Sequence, residues 1–400
     1  MKIYVLLAIL ILCITASSAK DIYADSYKSI QEAINAAKDG DTVYVKGGIY
    51  NESISISKSI KLIGSHDGNE TILNGMRVST AINVFADNVE ITGFTILNSN
   101  YGIWMYGSNN SSIYSNTIEN VNYAIPITYG NYNKIYNNSI AMCCDYGLDL
   151  MYSKHNKIMR NNIIKTSYGI SLYESDYNVV YKNNIVQTCH DGIALSCSKN
   201  NTVDSNKITI CKGSGIYVGS SSNNSIYNNF INEVFDGVAV SYSKCNKIQN
   251  STIINYYDYG IHLWKATYNR ILNNMIENTL KLNNKIMYIG YSSNNTIYKN
   301  SFFDYGNELY FYNSSDNWLF LNNFINATIY QYSSNSKLNT TKVTYIYHGK
   351  NYTNYLGNYY NNYKGKDSNN DGIGDTAYKL DSTIDKYPLM EPCRSYHIVI

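Results

Sequence analysis

A unit of 22 or 23 residues repeats through the middle of this 400-residue chain, and it constrains the fold more tightly than any other feature. The stretch "NYNKIYNNSI" at residues 131–140 returns as "HNKIMRNNII", "NNTVDSNKI", "NNSIYNNFI" and "YNRILNNMI". The apolar residue at the centre of each copy marks the phase: Ile91, Ile113, Ile135, Ile158, Val180, Val203, Ile226, Ile248, Ile271, Ile297 and Leu319, with one longer step of 26 before Ile297. A period this short holds three brief strands and their turns, which is one coil of a parallel β-helix. A leucine-rich repeat has a similar period, but its leucine consensus and helical segment are missing. A propeller needs longer units or hairpin turns. A dozen or so coils stacked ~4.8 Å apart make a rod of roughly 60 Å.

Each coil can be parsed. Eleven residues before the anchor most coils carry glycine (Gly102, Gly147, Gly169, Gly192, Gly215, Gly237, Gly260), followed by apolar residues at alternate positions such as Ile170 and Leu172. That period of two is a strand with one face inward. Asparagine stands two before the anchor (Asn133, Asn156, Asn178 and onward) and three after it (Asn116, Asn138, Asn161 and onward). Asparagine tolerates the left-handed backbone of a tight turn, and stacked amides can bond from coil to coil, so these rows read as structural.

The ends of such a rod must be covered. Ile30, Ala33, Ile34 and Ala37 fall at helical spacing ahead of an alternating strand, which predicts a short capping helix. After Ala327 the repeat stops and the texture changes. The expected organisation is a leader over 1–19, an N-terminal cap and first strands over 20–60, repeats over 61–330 and a C-terminal cap over 331–400. The leader reading rests on Lys2, the apolar run to Ile14 and the small residues Ser17, Ser18 and Ala19. No second run of that kind occurs, so no membrane span is expected after cleavage.

Lys and Arg number 32 against 30 Asp and Glu, and no basic run is interleaved with aromatics, which argues against a nucleic-acid partner. Removing Cys13 with the leader leaves seven of eight cysteines, an odd number that cannot all pair within one molecule.

Three stretches carry a resemblance to a known family: "SIQEAINAAKDGDTVYVKGGIYNESISISKSIKLIG", the central repeats, and "YLGNYYNNYKGKDSNNDGIGDTAYKLDSTIDKYPLMEP". Together they resemble the pectin-lyase-like superfamily, and more narrowly the NosD-like β-helix repeat proteins. The resemblance implies an all-β, right-handed single-stranded parallel β-helix and, by default, a secreted or cell-surface protein. It implies no single activity, because the superfamily holds lyases, glycosidases, sugar-binding surface proteins and a periplasmic factor for copper-enzyme maturation.

Four kinds of site can be read from the residues. In "DSNNDGIGD" the oxygen donors Asp367, Asn369, Asp371, the Ile373 carbonyl and Asp375 match the first nine positions of a Ca²⁺ loop, although Tyr378 stands where the bidentate glutamate belongs. A structural Ca²⁺ locking the C-terminal cap is expected. For catalysis, Asp191 and Asp236 hold equivalent places two coils apart, roughly 10 Å along the rod, at the upper end of glycosidase carboxylate spacings. A lyase would want a basic residue beside an acidic patch, and Arg160 and Arg270 are widely separated. Carbohydrate binding has more candidates: Trp104, Tyr106, Tyr173, Tyr217, His262 and Trp264 alternate outward on the Gly-led strand, and flat aromatic faces suit a pyranose ring. The bland alternative is that β-propensity places tyrosine there. Copper is disfavoured, because Cys144 and Cys189, with His190 beside the second, lie two coils apart; a Cys189–Cys211 disulfide or plain buried thiols are preferred. Sequons at Asn51, Asn69, Asn250, Asn326 and Asn351 fit an exported glycoprotein. The leading reading is a carbohydrate-binding or structural surface protein, with a polysaccharide lyase or glycoside hydrolase and a copper-enzyme maturation factor as alternatives.

Overall fold

Each anchor from Ile91 to Ile297 sits at the middle of a three-residue strand, and these strands pair in parallel and in register: Ile91 opposes Ile113, which opposes Ile135, then Ile158 and Val180. The computed structural model describes residues 19–399 except 66, 78–79, 281–283, 304–307 and 381. Of the expected leader over 1–19, residues 1–18 lie outside the described residues. About thirteen turns of a right-handed parallel β-solenoid follow one another. One face is a fifteen-stranded sheet built from the anchor strands, and the other two strands of each coil join a second continuous surface. The core is one cluster of stacked isoleucine, leucine and valine rows, nearly all fully buried. The expected helix, Ile30–Ala36, covers its N-terminal end and buries Ile30, Ala33 and Ile34. Ser29 caps it by accepting from the Glu32 amide at 3.1 Å.

The asparagine rows are buried ladders. Asn138 donates its side-chain amide back to the Ile113 carbonyl (2.9 Å) and forward to Asn161 Oδ1 (3.0 Å), which also accepts the Asn138 backbone N–H (3.0 Å). The same three bonds recur at Asn161, Asn183 and Asn206. The expected left-handed backbone, however, falls one residue earlier, on Asn137, Arg160, Lys182, Ser205 and Asn228. The side chain that must turn inward is therefore the one following the left-handed residue. The left-handed position itself faces solvent and accepts arginine or lysine.

The glycine row answers to space rather than to φ. A Cβ at Gly237 would stand 2.3 Å from the Gly260 carbonyl oxygen and 2.4 Å from Ile253 Cγ2, and Gly169 is placed likewise against Gly192 and Ile185. Parallel pairing runs past residue 330, since Asn317 opposes Ser336 and Phe324 opposes Tyr360. Beyond it lies an antiparallel sheet of 343–347, 350–354 and 397–398. Leu321, Tyr345, Tyr347, Leu356, Leu389 and Tyr396 form its own small core.

Candidate functional site

Register determines what the outward face of the Gly-led strands displays. One row runs Tyr101, Tyr123, Tyr146, Tyr168. Continuing in register, it passes to Asp191, Ser214, Asp236 and Tyr259. Three residues further along each strand a second row runs Trp104, Pro126, Asp149, Ser171, Ala194, Tyr217, Ala239 and His262. Four successive residues of that row, Pro126 to Ala194, are small or short, and they lie between Trp104 and Tyr217. The result is a cleft of about 590 Å³, floored by Pro126, Asp149, Ser171 and Ala194 and walled on one side by the tyrosine row. Trp104 and Tyr217 bound it at either end, five coil steps or roughly 24 Å apart along the rod.

Of the six expected carbohydrate contacts, Trp104, Tyr173 and Tyr217 line this cleft. Tyr106 packs edge-on against Trp104 at 5.8 Å beside it. His262 and Trp264 belong to a separate cluster further along the rod with Tyr259 and Tyr288. The tyrosine wall was missed, although a Tyr stands directly before the glycine in "YG" at 101, 146, 168 and 259. Its rings stack along the axis with centroids 4.8–5.5 Å apart, and His190 closes the stack 4.7 Å from Tyr168. Because the faces are turned to one another, the wall presents ring edges. Burial raises the phenols of Tyr123 and Tyr168, and that of Tyr146 to about 12, so all stay protonated. Tyr217 differs, since its neighbours in the row are Ala194 and Ala239 and its ring lies over Gly219, where a Cβ would come within 2.5 Å of the hydroxyl.

Asp149 is the second residue that sequence reasoning missed; its signal was the alternation "LDL", which points an acid outward where other coils place Trp, Ser or Ala. It is only 8% exposed, and burial pushes its carboxyl up to about 6 against the pull of Ser171. Asp191 also lines the cleft and is raised, by burial first, while accepting from the Ser214 amide at 2.7 Å. Asp236 lies outside it, two coils on from Asp191 as expected; it accepts from the Tyr259 amide (3.1 Å) and faces His262 Nδ1 at 3.5 Å. Both expected catalytic acids thus tie one coil to the next.

A pH test follows for Asp149. Below the unfolded-state value of 3.8 both states hold the proton and the residue costs nothing; as pH rises through about 6 the unfolded chain gains by ionising first, so folding loses stability. Asp149→Asn should therefore raise stability at pH 7.5 by about 1–3 kcal/mol, and the gain should shrink toward pH 4.5. Denaturant midpoints at the two pH values check this; an equal gain at both would refute it.

Among the described residues the cysteines do not pair. All seven in the described residues are free. The expected Cys189–Cys211 bond is corrected by register: Thr188, not Cys189, opposes Cys211, so Cys211 points inward and Cys189 outward. Burial pushes the inward thiols of Cys143 and Cys211 up to about 12 and about 11. Among the described residues no three His, Cys, Asp or Glu side chains converge to hold a metal ion. In the 367–375 loop, Asp367 accepts from the amides of Asp371 (3.1 Å) and Gly372 (2.8 Å), and Asp375 accepts from Ser368. Asp371 accepts from the Ile373 amide and from the side chains of Asn354 and Asn369. The five sequon asparagines are all exposed.

Comparison with known proteins now decides the family. The family described as "Periplasmic copper-binding protein (NosD)" matches residues 34–235, and the right-handed β-helix region matches residues 191–362. The chain belongs to the NosD family. No curated protein matches it. Among solved structures, this NosD-family chain is similar to PfbA, a surface adhesin of Streptococcus pneumoniae, at TM-score 0.60 and 11% identity over 84% of this chain and 98% of that one. It is also similar to the catalytic unit of a GH87 α-1,3-glucanase from Streptomyces thermodiastaticus, at 0.57 and 12% over 80% and 70%. A third is the Azotobacter vinelandii mannuronan C-5 epimerase AlgE6 A-module, at 0.50 and 15% over 80% and 96%. At these identities the likeness establishes the fold alone. Among the described residues the copper in the family's description finds no matching donor set: the inward thiols hold their protons, and Cys144 and Cys189 are two coils apart without a converging third ligand.

Proposed function

We propose that this protein works outside the cytoplasm as a polysaccharide-binding β-helix whose cleft, from Trp104 to Tyr217, receives a stretch of glycan. The observation that carries the reading is the cleft itself: aromatic ends, a floor of small residues, and a wall of tyrosine edges along four coils. Apolar rings with a few polar groups are how a rigid scaffold holds a sugar. Single substitution Trp104→Ala or Tyr217→Ala should weaken retention in polysaccharide affinity gels about tenfold or more, while Trp264→Ala changes it little. Equal loss in all three variants, or none, would remove the reading.

A second reading has its own support. Asp149, held protonated to about pH 6 at the floor of the cleft, has the character of a general acid, and Asp191 is the second carboxylate in the cleft. If the cleft hydrolyses its glycan, new reducing ends appear with wild type and vanish with Asp149→Asn while retention persists.

The C-terminal loop is proposed to take Ca²⁺, which would draw Asp367, Asp371 and Asp375 together. The support is the alternating oxygen donors and a loop already folded by its own side-chain bonds. The loop packs on the cap, since a Cβ at Gly372 (φ 88) would stand 2.7 Å from the Tyr396 ring. Ca²⁺ at a hundred times its Kd should stabilise the cap by about 2.7 kcal/mol, and Asp371→Ala should abolish the effect. Melting curves with calcium and with chelator test this; identical curves would refute it.

A further inference from the structure

Resting on the glycan-binding reading, we infer that the cleft selects uncharged polysaccharide, laid along the rod axis, and rejects polyuronates. The argument begins with what lines it. Of the side chains that line the cleft, the only charged ones are the carboxylates Asp149 and Asp191; the nearest base, His190, stacks on Tyr168 at the end of the wall, beside Asp191, and does not line the cleft. A uronan carries a carboxylate on each residue and would meet two further negative groups with no cation to receive it. Like charges brought together in a partly desolvated site cost several kcal/mol. Asp191 keeps its place through the Ser214 amide and Asp149 is buried, so neither can swing away.

The direction of the chain follows from the walls. The tyrosine edges recur once per coil, so the wall offers a hydroxyl-bearing edge at a regular interval along the axis and none across it. Burial raises the phenols of Tyr123, Tyr146 and Tyr168, so these three hydroxyls remain donors at pH 7.5. A glycan lying along the axis meets this row with its hydroxyls and reaches the bare ring of Tyr217 at one end and Trp104 at the other. A glycan lying across the axis would meet a single coil and leave both end rings unused. The floor supplies the complementary feature: Pro126 and Ala194 are apolar, while Ser171 and Asp149 offer hydrogen-bonding groups at its centre.

The test uses the mature chain in affinity gels and isothermal titration against named probes: curdlan, mannan and xylan as uncharged glycans, alginate and polygalacturonate as uronans, at pH 7.5 and low salt. Retention on at least one uncharged probe, with Kd about tenfold or more below that for either uronan, is the expected result. The double variant Asp149→Asn/Asp191→Asn should narrow that gap by raising uronan retention. Tyr217→Phe should bind as wild type does and Tyr217→Ala should not. Wild-type retention on alginate or polygalacturonate equal to or above that on the uncharged probes, lost in Trp104→Ala, would overturn the selectivity while leaving the glycan-binding reading intact. Retention on no probe would overturn both.

Discussion

Asn183→Ala is expected to lower stability by about 3–5 kcal/mol, well beyond an ordinary surface substitution. Asn183 is 1% exposed and sits in the middle of the ladder. Its oxygen accepts both the backbone N–H (2.9 Å) and the side-chain amide (3.1 Å) of Asn161. Its own amide donates to the Ile158 carbonyl at 3.0 Å and to Asn206 Oδ1 at 3.0 Å. Alanine leaves a buried N–H without its acceptor and a buried carbonyl without its donor, and each such group costs about 1–3 kcal/mol where no water reaches it. The neighbouring Asn184 provides the control, because it is half-buried and its side chain makes a single amide bond to Asn162 at 2.7 Å. Asn184→Ala should cost less than about 1 kcal/mol. Denaturant midpoints of the two variants measure the difference; similar losses would show that the ladder contributes nothing specific.

That contrast also separates what could be read in the sequence from what could not. The anchors were legible because an inward position in a stacked coil must be apolar in every coil, so the period and the register are written in Ile91, Ile113, Ile135 and their successors. The ladders were legible for the same reason. The left-handed positions were assigned one residue late, because asparagine has both a turn preference and an amide, and in this chain the amide decides where it stands: Arg160 and Lys182 take the left-handed backbone while Asn161 and Asn183 turn inward. Of the candidate site, the aromatics Trp104, Tyr173 and Tyr217 were legible as outward residues. What gathers them is the run of short side chains between them, and a cleft made by absent volume appears only when rows from successive coils are laid side by side. Asp149 needed the same step, since its burial comes from neighbours in other coils. The cysteine pairing failed through a one-residue offset, which in a strand exchanges inside for outside.

At the other end of the ladder, Asp385→Ala is expected to release the C-terminal cap, at a cost of about 3–5 kcal/mol. Each ladder asparagine passes a donor forward to the next coil, so the last needs an acceptor that asks for nothing in return. Asn322 donates to Asn358 Oδ1 at 3.0 Å, and Asn358 is received by Asp385, whose Oδ2 accepts its backbone N–H at 2.8 Å and its side-chain amide at 3.3 Å. Tyr360 adds its hydroxyl at 3.2 Å, and the other oxygen takes the Tyr387 amide at 2.9 Å. A carboxylate has only acceptors, which is why it can end the series; an asparagine in its place would turn an N–H₂ toward one of these donors, so Asp385→Asn should be intermediate, at about 1–3 kcal/mol. Asp385 is fully buried, and burial raises its carboxyl to about 6 despite the four donors, so the alanine variant also removes a desolvated acid and the net loss falls below the sum of its bonds. Because contacts in a solenoid run only between neighbouring coils, the damage should stay at that end. Limited proteolysis of Asp385→Ala should cut within residues 331–399 while the coils around Ile135 to Ile271 remain protected. Cleavage spread evenly along the rod would mean that the cap and the coils unfold as one unit, and that the carboxylate does not act as the ladder's local terminus.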